Sequence, residues 1–99
     1  MTSQYANVST IYAAQRLNEN SGSHFFSPNA MRFFSCRVHS NLYRGCVFVT
    51  SEKSSWDVRK YTVRAIKADG SIETIGEFQG YETRSQAHTA AQNFARTIR

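Results

Sequence analysis

The stretch RKYTVRAIKADGSIETIGEFQGYET, residues 59–83, decides the fold. Two runs of alternating apolar and polar residues flank Asp69-Gly70, and an Asp-Gly pair between such runs is the strongest short-range signal for a β-hairpin. A two-residue type I′ turn at this pair would place Val63 opposite Gly76 on the neighbouring strand. The sequence therefore predicts an antiparallel hairpin with a tight Asp-Gly turn.

This register divides the side chains of the hairpin between two faces, because successive residues of a strand point to opposite sides of a sheet. The mostly apolar face is predicted to form the core and carries Tyr61, Val63, Ala65, Ile72, Gly76 and Phe78. The opposite face carries Lys60, Thr62, Arg64, Ile66, Glu73, Ile75 and Glu77. Since two glutamates would lie among its cations, we expect ion pairs to leave this second face nearly neutral.

A helix is predicted directly after the hairpin. Thr83 and Gln86 have the spacing of a capping box, in which each side chain accepts a hydrogen bond from the backbone of the other. The apolar periodicity continues to about Ile98. Small residues dominate its apolar stripe and allow close packing on a sheet: Ala87, Ala90, Ala91, Phe94 and Ile98.

Two further strands are predicted upstream, at residues 31–39 and 43–51, from alternation and from aromatic and β-branched content. A loop centred on Asn41 would pair Cys36 directly with Cys46. These thiols could form a disulfide, bind a metal, or pack as inert side chains. We favour inert packing, because a reducing compartment opposes a disulfide.

Residues 1–29 are polar and predict an arm with one short helix, residues 10–17, capped by Ser9. Residues 30–99 form the predicted ββββα globular domain. The expected fold class is α+β: an antiparallel sheet of about four strands with a C-terminal helix packed on one face. We expect the arm to dock on this domain and to cover a sheet edge.

The chain has 99 residues and a formal net charge of +5. Residues 1–30 contain one arginine and one glutamate, so the excess positive charge lies in the remaining residues. A basic protein of this kind fits a polyanionic partner. No apolar run approaches the roughly 18 residues of a membrane span, and the first residues lack the features of a secretion signal. We therefore expect a protein of the cytoplasm, or of a host cell's cytoplasm, without a membrane partner.

Catalytic motifs are absent from the sequence. The acidic residues show no paired-carboxylate or HExxH pattern, and no serine lies in a G-x-S-x-G turn. The three histidines, His24, His39 and His88, fall on three different predicted elements. We therefore expect a protein that is not an enzyme and that has no cofactor, no catalytic residue and no metal site.

Four segments of the chain, within roughly residues 24–95, carry a first resemblance: HFFSPNAMRFFSCRV, GCVFVTSEK, RKYTVRAI and GSIETIGEFQGYET. Together they resemble an uncharacterised family of small proteins carried by bacteriophages, plasmids and other mobile elements. This resemblance implies a genomic setting, that of a small accessory protein, and no particular mechanism.

The order of features from Tyr43 onward carries a second resemblance: a Tyr-Arg-Gly strand, a tryptophan, two hairpin strands and a T-x-x-x-A-x-x-A helix. This order is similar to that of AP2/integrase-arm DNA-binding domains, which lay a three-stranded sheet into the major groove of DNA. Carried over by position, the resemblance implies nucleic-acid contacts from Arg44, Lys53, Trp56, Arg59, Lys60, Arg64 and Lys67. The chain departs from the pattern by an insertion at Gly80-Tyr81 and by a strand that continues as GCVFVTS, without the further arginines that such domains carry there.

The leading functional expectation is thus nucleic-acid binding through a basic sheet face. The alternative is a protein that binds and modulates a host or phage protein, such as a host enzyme or a defence system. Its anchors would be tyrosines, which are enriched at interface hot spots: Tyr5, Tyr12, Tyr43 and Tyr81. A homodimer formed by pairing of an edge strand, at residues 31–39 or 59–67, is also open.

Overall fold

The computed structural model describes residues 4–32, 35–53 and 58–98. Trp56, one of the predicted nucleic-acid contacts, lies outside these residues. The described chain contains three helices, α1 (Ile11–Asn20), α2 (Pro28–Arg32) and α3 (Arg84–Ala95). Its strands are β1 (Arg37–Val38), β2 (Val47–Glu52), β3 (Lys60–Ile66) and β4 (Ile72–Ile75).

The four strands form one antiparallel sheet in the order β1-β2-β3-β4. With α3 following the last strand and α1 preceding the first, the predicted α+β fold class is confirmed. Because β3 pairs with β2 on one side and with β4 on the other, residues 60–66 are central rather than an edge strand. The edge strands of this sheet are β1 and β4.

Helix α3 begins as the sequence predicts. The Thr83 hydroxyl accepts a hydrogen bond from the backbone N–H of Gln86 at 3.2 Å, and the Gln86 side chain accepts one from the backbone of Thr83 at 3.3 Å. The helix ends at Ala95 rather than near Ile98. Directly after it, the Thr97 N–H and hydroxyl both donate to the Phe94 carbonyl and tighten the last turn. Small side chains bury its inner face against β2 and β3: Ala87, Ala91 and Ala95.

The turn of the β3–β4 hairpin has one residue more than the predicted type I′ turn. Lys67 N–H donates to the Ser71 carbonyl at 2.8 Å, and Gly70 N–H donates to the Lys67 carbonyl at 2.9 Å. Gly70 is left-handed with φ +92°, whereas Asp69 is not among the residues with positive φ. This is the three-residue loop that combines a type I turn with a bulge at glycine. Val63 therefore pairs with Ile75 instead of Gly76.

A one-residue slip of register moves every side chain of β4 to the other face of the sheet. We call the side covered by α3 the helix face; it carries Val49, Val63 and Ala65. We call the other side the Arg64 face; it carries Phe48, Thr50, Glu52, Thr62, Arg64 and Thr74. The predicted division of β4 was wrong: Glu73 and Ile75 lie on the helix face, and Ile72 and Thr74 lie on the Arg64 face.

The structure also corrects the predicted positions of Glu73 and Phe78. Glu73 does not lie among the cations, since its carboxylate accepts a hydrogen bond from the Tyr5 hydroxyl at 2.8 Å. Phe78 is not part of the seat for α3, because it lies against the guanidinium of Arg64, 5.5 Å from ring centre to Cζ. The chain leaves the sheet at Gly76, with φ +79°, and returns to pair Tyr81 with Tyr61.

The segment predicted as the first strand is mostly not a strand. Pro28 opens the short helix α2, where a fixed φ suits the first turn and a missing N–H costs nothing. The Ser27 hydroxyl accepts from Ala30 N–H at 3.2 Å and caps this turn. Strand β1 is only two residues long and pairs Arg37 with Ser51. The predicted pairing of Cys36 with Cys46 is therefore wrong; both thiols are free, and Cys46 is fully buried.

Strand β2 starts later than predicted, because residues 43–46 form a tight turn. Tyr43 and Val47 exchange backbone hydrogen bonds of 2.7 and 2.9 Å across it. Arg44 and Gly45 are left-handed, with φ +53° and +73°. This turn places the side chain of Arg44 in solvent at one end of the sheet.

The N-terminal arm docks at that same end of the sheet. Helix α1 is capped by Thr10 rather than Ser9 and runs to Asn20. The backbone of residues 4–8 hydrogen bonds to the end of β3 and to the turn before β2, for example Ala6 N–H to the Ile66 carbonyl at 3.0 Å. The described part of the arm therefore lies beside the end of β3, next to the turn that precedes β2. It does not run along the edge strand β1 or β4.

Candidate functional site

The predicted nucleic-acid contacts that the structure describes lie at three places. Arg44 and Lys67 lie at the end of the sheet near the arm, in the turn before β2 and directly after β3. Lys53, Arg59 and Lys60 lie at the opposite end, where β2 ends and β3 begins. Arg64 lies between them in the middle of β3. The fold therefore separates these six residues instead of placing them in one basic stripe.

Arg64 is enclosed by protein. Its side chain is 11% exposed and forms an ion pair with Glu52 at 3.3 Å. It also donates from Nε to the Thr50 hydroxyl at 3.1 Å and from a terminal nitrogen to the Thr74 hydroxyl at 2.6 Å. The rings of Phe25 and Phe78 lie 5.3 and 5.5 Å from its guanidinium. Through these contacts Arg64 stabilises the fold.

Glu52 is the centre of this buried network, and the sequence did not indicate it as a site residue. Its side chain is 2% exposed. The carboxylate accepts hydrogen bonds from the hydroxyls of Thr50 at 2.5 Å and Thr62 at 2.6 Å, and from the Cys36 thiol at 3.7 Å. Alternating polar residues of β2 and β3 are the sequence signal that could have identified it. Every oxygen of this carboxylate is already occupied by the protein itself.

Aromatic side chains cover the Arg64 face. Phe26 stacks on Phe48 with ring centres 6.0 Å apart, and Phe25 meets both rings edge-on. A small cavity of about 110 Å³ remains between this cover and the Glu52 network. Burial, followed by the nearby Glu52 charge, raises the pKa of Cys36 beside the cavity to about 11. The Cys36 thiol is therefore protonated at neutral pH and is a poor nucleophile.

Three other predicted contacts have distinct environments. Arg59 donates to the Ser35 carbonyl at 2.9 Å and to the carbonyl and hydroxyl of Ser51 at 3.1 and 3.0 Å. It thereby ties the start of β1 to the end of β2. Lys60 pairs with Glu52 in the β2–β3 register and is half-buried, whereas Lys53 is exposed.

An open groove of about 460 Å³ lies between α3 and the turn before β2. Exposed Arg44 stands on its turn side, and exposed Arg96 stands at the end of α3. The groove is lined by Leu42, Tyr43, Arg44, Gln92, Ala95 and Arg96. We call this feature the Arg44–Arg96 groove. The sequence did not indicate Arg96 as a site residue, because nothing local indicates that α3 ends beside Arg44.

The charge of this groove is not compensated within the described chain. Between residues that the structure describes, Arg64–Glu52 is the only ion pair. Arg44 and Arg96 therefore project into the groove without a described carboxylate bound to either. Two exposed guanidinium groups beside a half-buried tyrosine ring can bind an anionic ligand through charge, hydrogen bonds and stacking.

Tyr43 of the groove lining and two histidines from separate elements form a chain of hydrogen bonds. The Tyr43 hydroxyl lies 2.7 Å from His88 Nδ1, and His88 Nε2 lies 3.2 Å from His39 Nδ1. Burial lowers the pKa of both imidazoles, and the Arg84 charge acts in the same direction. For His39 the neighbouring His88 contributes more to this lowering than Arg84 does. His39 and His88 do fall on different elements, as the sequence predicted, and the fold brings them together.

The tyrosines expected to anchor a protein partner are mostly engaged within the fold. Tyr5 donates to Glu73 and meets Phe94 edge-on, and Tyr43 contacts His88. Tyr81 pairs through its backbone with Tyr61. Tyr12, on α1, is 65% exposed.

Residues 4–32, 35–53 and 58–98 contain no group of three or more His, Cys, Asp and Glu side chains arranged to hold a metal ion. None of the helices in this part of the chain combines the length and the apolar character needed to cross a bilayer.

Comparison with known proteins identifies a family for this chain. A search of the curated proteins and a search of the solved structures each returned no match. A scan against protein families matched residues 10–92 to DUF7447, a family of unknown function. This match spans α1, the whole sheet and most of α3. The chain therefore belongs to the DUF7447 family.

Proposed function

We propose that this protein is a small non-enzymatic binding protein that contacts the phosphate backbone of nucleic acid through Arg44 and Arg96. The observation that carries the proposal is the placement of these two exposed guanidinium groups on opposite sides of one open groove. The net charge of +5 supports it, since a positive field attracts polyanions over a distance. The proposed role as an accessory protein of a phage or other mobile element rests on the sequence resemblance, and the proposed cytoplasmic setting rests on the sequence pattern.

The groove suits this role better than the sheet face that the sequence indicated. Arg64 at the centre of that face is occupied by Glu52, Thr50 and Thr74. Releasing it would leave the Glu52 carboxylate buried without its cation, which is strongly unfavourable. By contrast, neither Arg44 nor Arg96 has a described carboxylate to exchange for a phosphate.

Fluorescence anisotropy with labelled mixed-sequence oligonucleotides at about 50 mM salt tests the proposal. We expect binding that weakens steeply with salt, because neutralised phosphates release counterions. The double variant Arg44→Ala/Arg96→Ala should bind more weakly and should reduce the slope of log K against log salt by about 1.5.

The matched control is Arg16→Ala/Arg32→Ala, which removes the same net charge from exposed positions on α1 and α2. Equal losses in the two double variants would mean that the whole surface attracts nucleic acid and that the groove has no special role. Absence of binding by the native protein at this salt concentration would contradict the proposal altogether.

A pull-down from lysate with and without nuclease separates this proposal from the alternative of a protein partner. Partners that disappear after nuclease treatment are those that nucleic acid had bridged, as the proposal expects. A partner that persists after nuclease treatment, together with failed anisotropy binding, would favour a protein-binding modulator instead.

A further inference from the structure

From the shape of the Arg44–Arg96 groove we infer that the ligand is a single-stranded nucleic acid, with one unpaired base seated between the two arginines. This inference rests on the proposed function and names its ligand class. It follows from three features of the fold: the cover over both faces of β2 and β3, the open form of the groove, and the chemistry of its lining.

The central strands β2 and β3 do not present a free face for docking into a DNA groove. Helix α3 covers the helix face and buries Ala87, Ala91 and Ala95 there. Phe25 and Phe26 cover the Arg64 face by packing on Phe48. A duplex read by strands requires a sheet face whose side chains reach the base edges of the major groove. Such readout is not available in this arrangement.

The open groove instead offers room for one nucleotide laid against its lining. Its volume of about 460 Å³ lies within the range of small-molecule sites. A base inside a duplex is stacked and paired, and bringing it into a pocket costs the free energy of extrusion. An unpaired base does not carry the full cost. The groove therefore favours a single strand over the duplex of the same sequence.

The lining of the groove fits the parts of a nucleotide. Tyr43 offers an aromatic ring, which stacks with any base because every base has a π-face. Gln92 offers an amide that can both donate to and accept from a base edge. Arg44 and Arg96 offer guanidinium groups for the flanking phosphates. Stacking with charge contacts predicts binding with little sequence preference.

Tyr43 is held in place by His88 and by the backbone of its own turn. Its hydroxyl is hydrogen bonded to His88 Nδ1 at 2.7 Å, and its ring meets the imidazole edge-on at 5.8 Å. The turn that carries it is closed by the two backbone hydrogen bonds with Val47. The ring is therefore pre-positioned, so that ordering it costs little on binding.

The test is fluorescence anisotropy of a labelled single strand of about 12 nucleotides and of the same strand annealed to its complement, both at about 50 mM salt. We expect the single strand to bind at least about tenfold more tightly, because only the duplex must extrude a base. Tyr43→Ala should weaken single-strand binding by about tenfold through lost stacking, whereas Tyr43→Phe keeps the ring and should retain most of the affinity.

Circular dichroism of each variant checks that it is folded, and Gln92→Ala, on an exposed helix position, offers a second groove variant with little effect on packing. Equal or tighter binding of the duplex would overturn the inference and leave the proposed function standing. Single-strand preference that survives both Arg44→Ala/Arg96→Ala and Gln92→Ala would also overturn it, since the site would then lie elsewhere. Failure to bind either form would overturn the proposed function itself.

Discussion

His39 and His88 are hydrogen bonded to each other, with Nδ1 of the first 3.2 Å from Nε2 of the second. The Tyr43 hydroxyl occupies the other ring nitrogen of His88. One N–H between the two rings completes this hydrogen bond, whichever of the two histidines donates it. Two protonated rings would instead place two N–H groups facing each other without an acceptor. The pair therefore tolerates neutral rings better than a doubly charged state.

This pair predicts a stability that falls as the pH is lowered from about 7 to about 5. Burial, followed by the charges of His88, Arg84 and Arg59, lowers the pKa of His39, and Glu52 opposes this shift more weakly. Burial and the charge of Arg84 lower the pKa of His88. Below the ordinary histidine pKa of about 6.5 the unfolded chain binds more protons than the folded one, so acid favours unfolding. Urea denaturation at several pH values measures this slope.

The double variant His39→Gln/His88→Gln should flatten this dependence between about pH 7 and pH 5. His24→Gln, at an exposed position, is the matched control and should keep the native slope. A double variant with the same slope as the native protein would show that the pair does not control acid stability.

Replacement of Glu52 by Gln should destabilise the protein by about 3 kcal/mol, because it leaves the enclosed Arg64 guanidinium without a counter-charge. The free energy of unfolding from urea titration is the measurement. Lys53→Gln, at the exposed neighbouring position, should change it by less than about 0.5 kcal/mol. Replacing both partners, as Glu52→Leu/Arg64→Met, should recover part of the loss. A Glu52→Gln variant as stable as the native protein would contradict this account of the network.

Gly70 and Gly22 form a natural pair for testing the turn of the hairpin. Both are left-handed, with φ +92° and +86°. A Cβ on Gly70 would lie 2.6 Å from the Leu17 carbonyl oxygen and 2.8 Å from Ser21 Cβ, whereas one on Gly22 would meet nothing within 4 Å. We expect Gly22→Ala to cost about 1 kcal/mol from backbone strain alone, and Gly70→Ala to cost roughly 2 kcal/mol more from overpacking.

Thermal and urea denaturation of these two variants measure the difference. Equal costs would mean that α1 does not pack on the hairpin turn. That packing is also carried by Asn18, which is fully buried and donates to the Gly70 carbonyl at 2.7 Å.

The elements that the sequence predicted well are those with local signals. The capping box of Thr83 and Gln86 satisfies backbone groups within one turn of a helix, so neighbouring residues suffice to identify it. The existence of the β3–β4 hairpin follows in the same way from alternation around Asp69-Gly70. Its register did not, because Asp-Gly suits both a two-residue turn and a three-residue turn with a glycine bulge.

The predicted nucleic-acid site also depended on local sequence patterns alone. Cations were assigned to a face by alternation, but alternation cannot tell whether another segment covers that face. The segment of Phe25 and Phe26 does cover it, and Glu52 occupies Arg64 there. The prediction of a strand in the stretch before β1 was wrong for a related reason. The aromatic content of this stretch is typical of a strand, but Pro28 and the Ser27 cap start a helix in it.

The sequence by itself determined the α+β class, the central hairpin and the start of α3, since these depend on contacts between near neighbours in the chain. Only the tertiary structure decided the pairs that span long separations: Glu52 with Arg64, His39 with His88, and Arg44 beside Arg96. Each depends on strand register and on the position at which α3 ends. A shift of one residue in register reverses which side chains of a strand share a face, and the hairpin turn around Gly70 sets that register for β4.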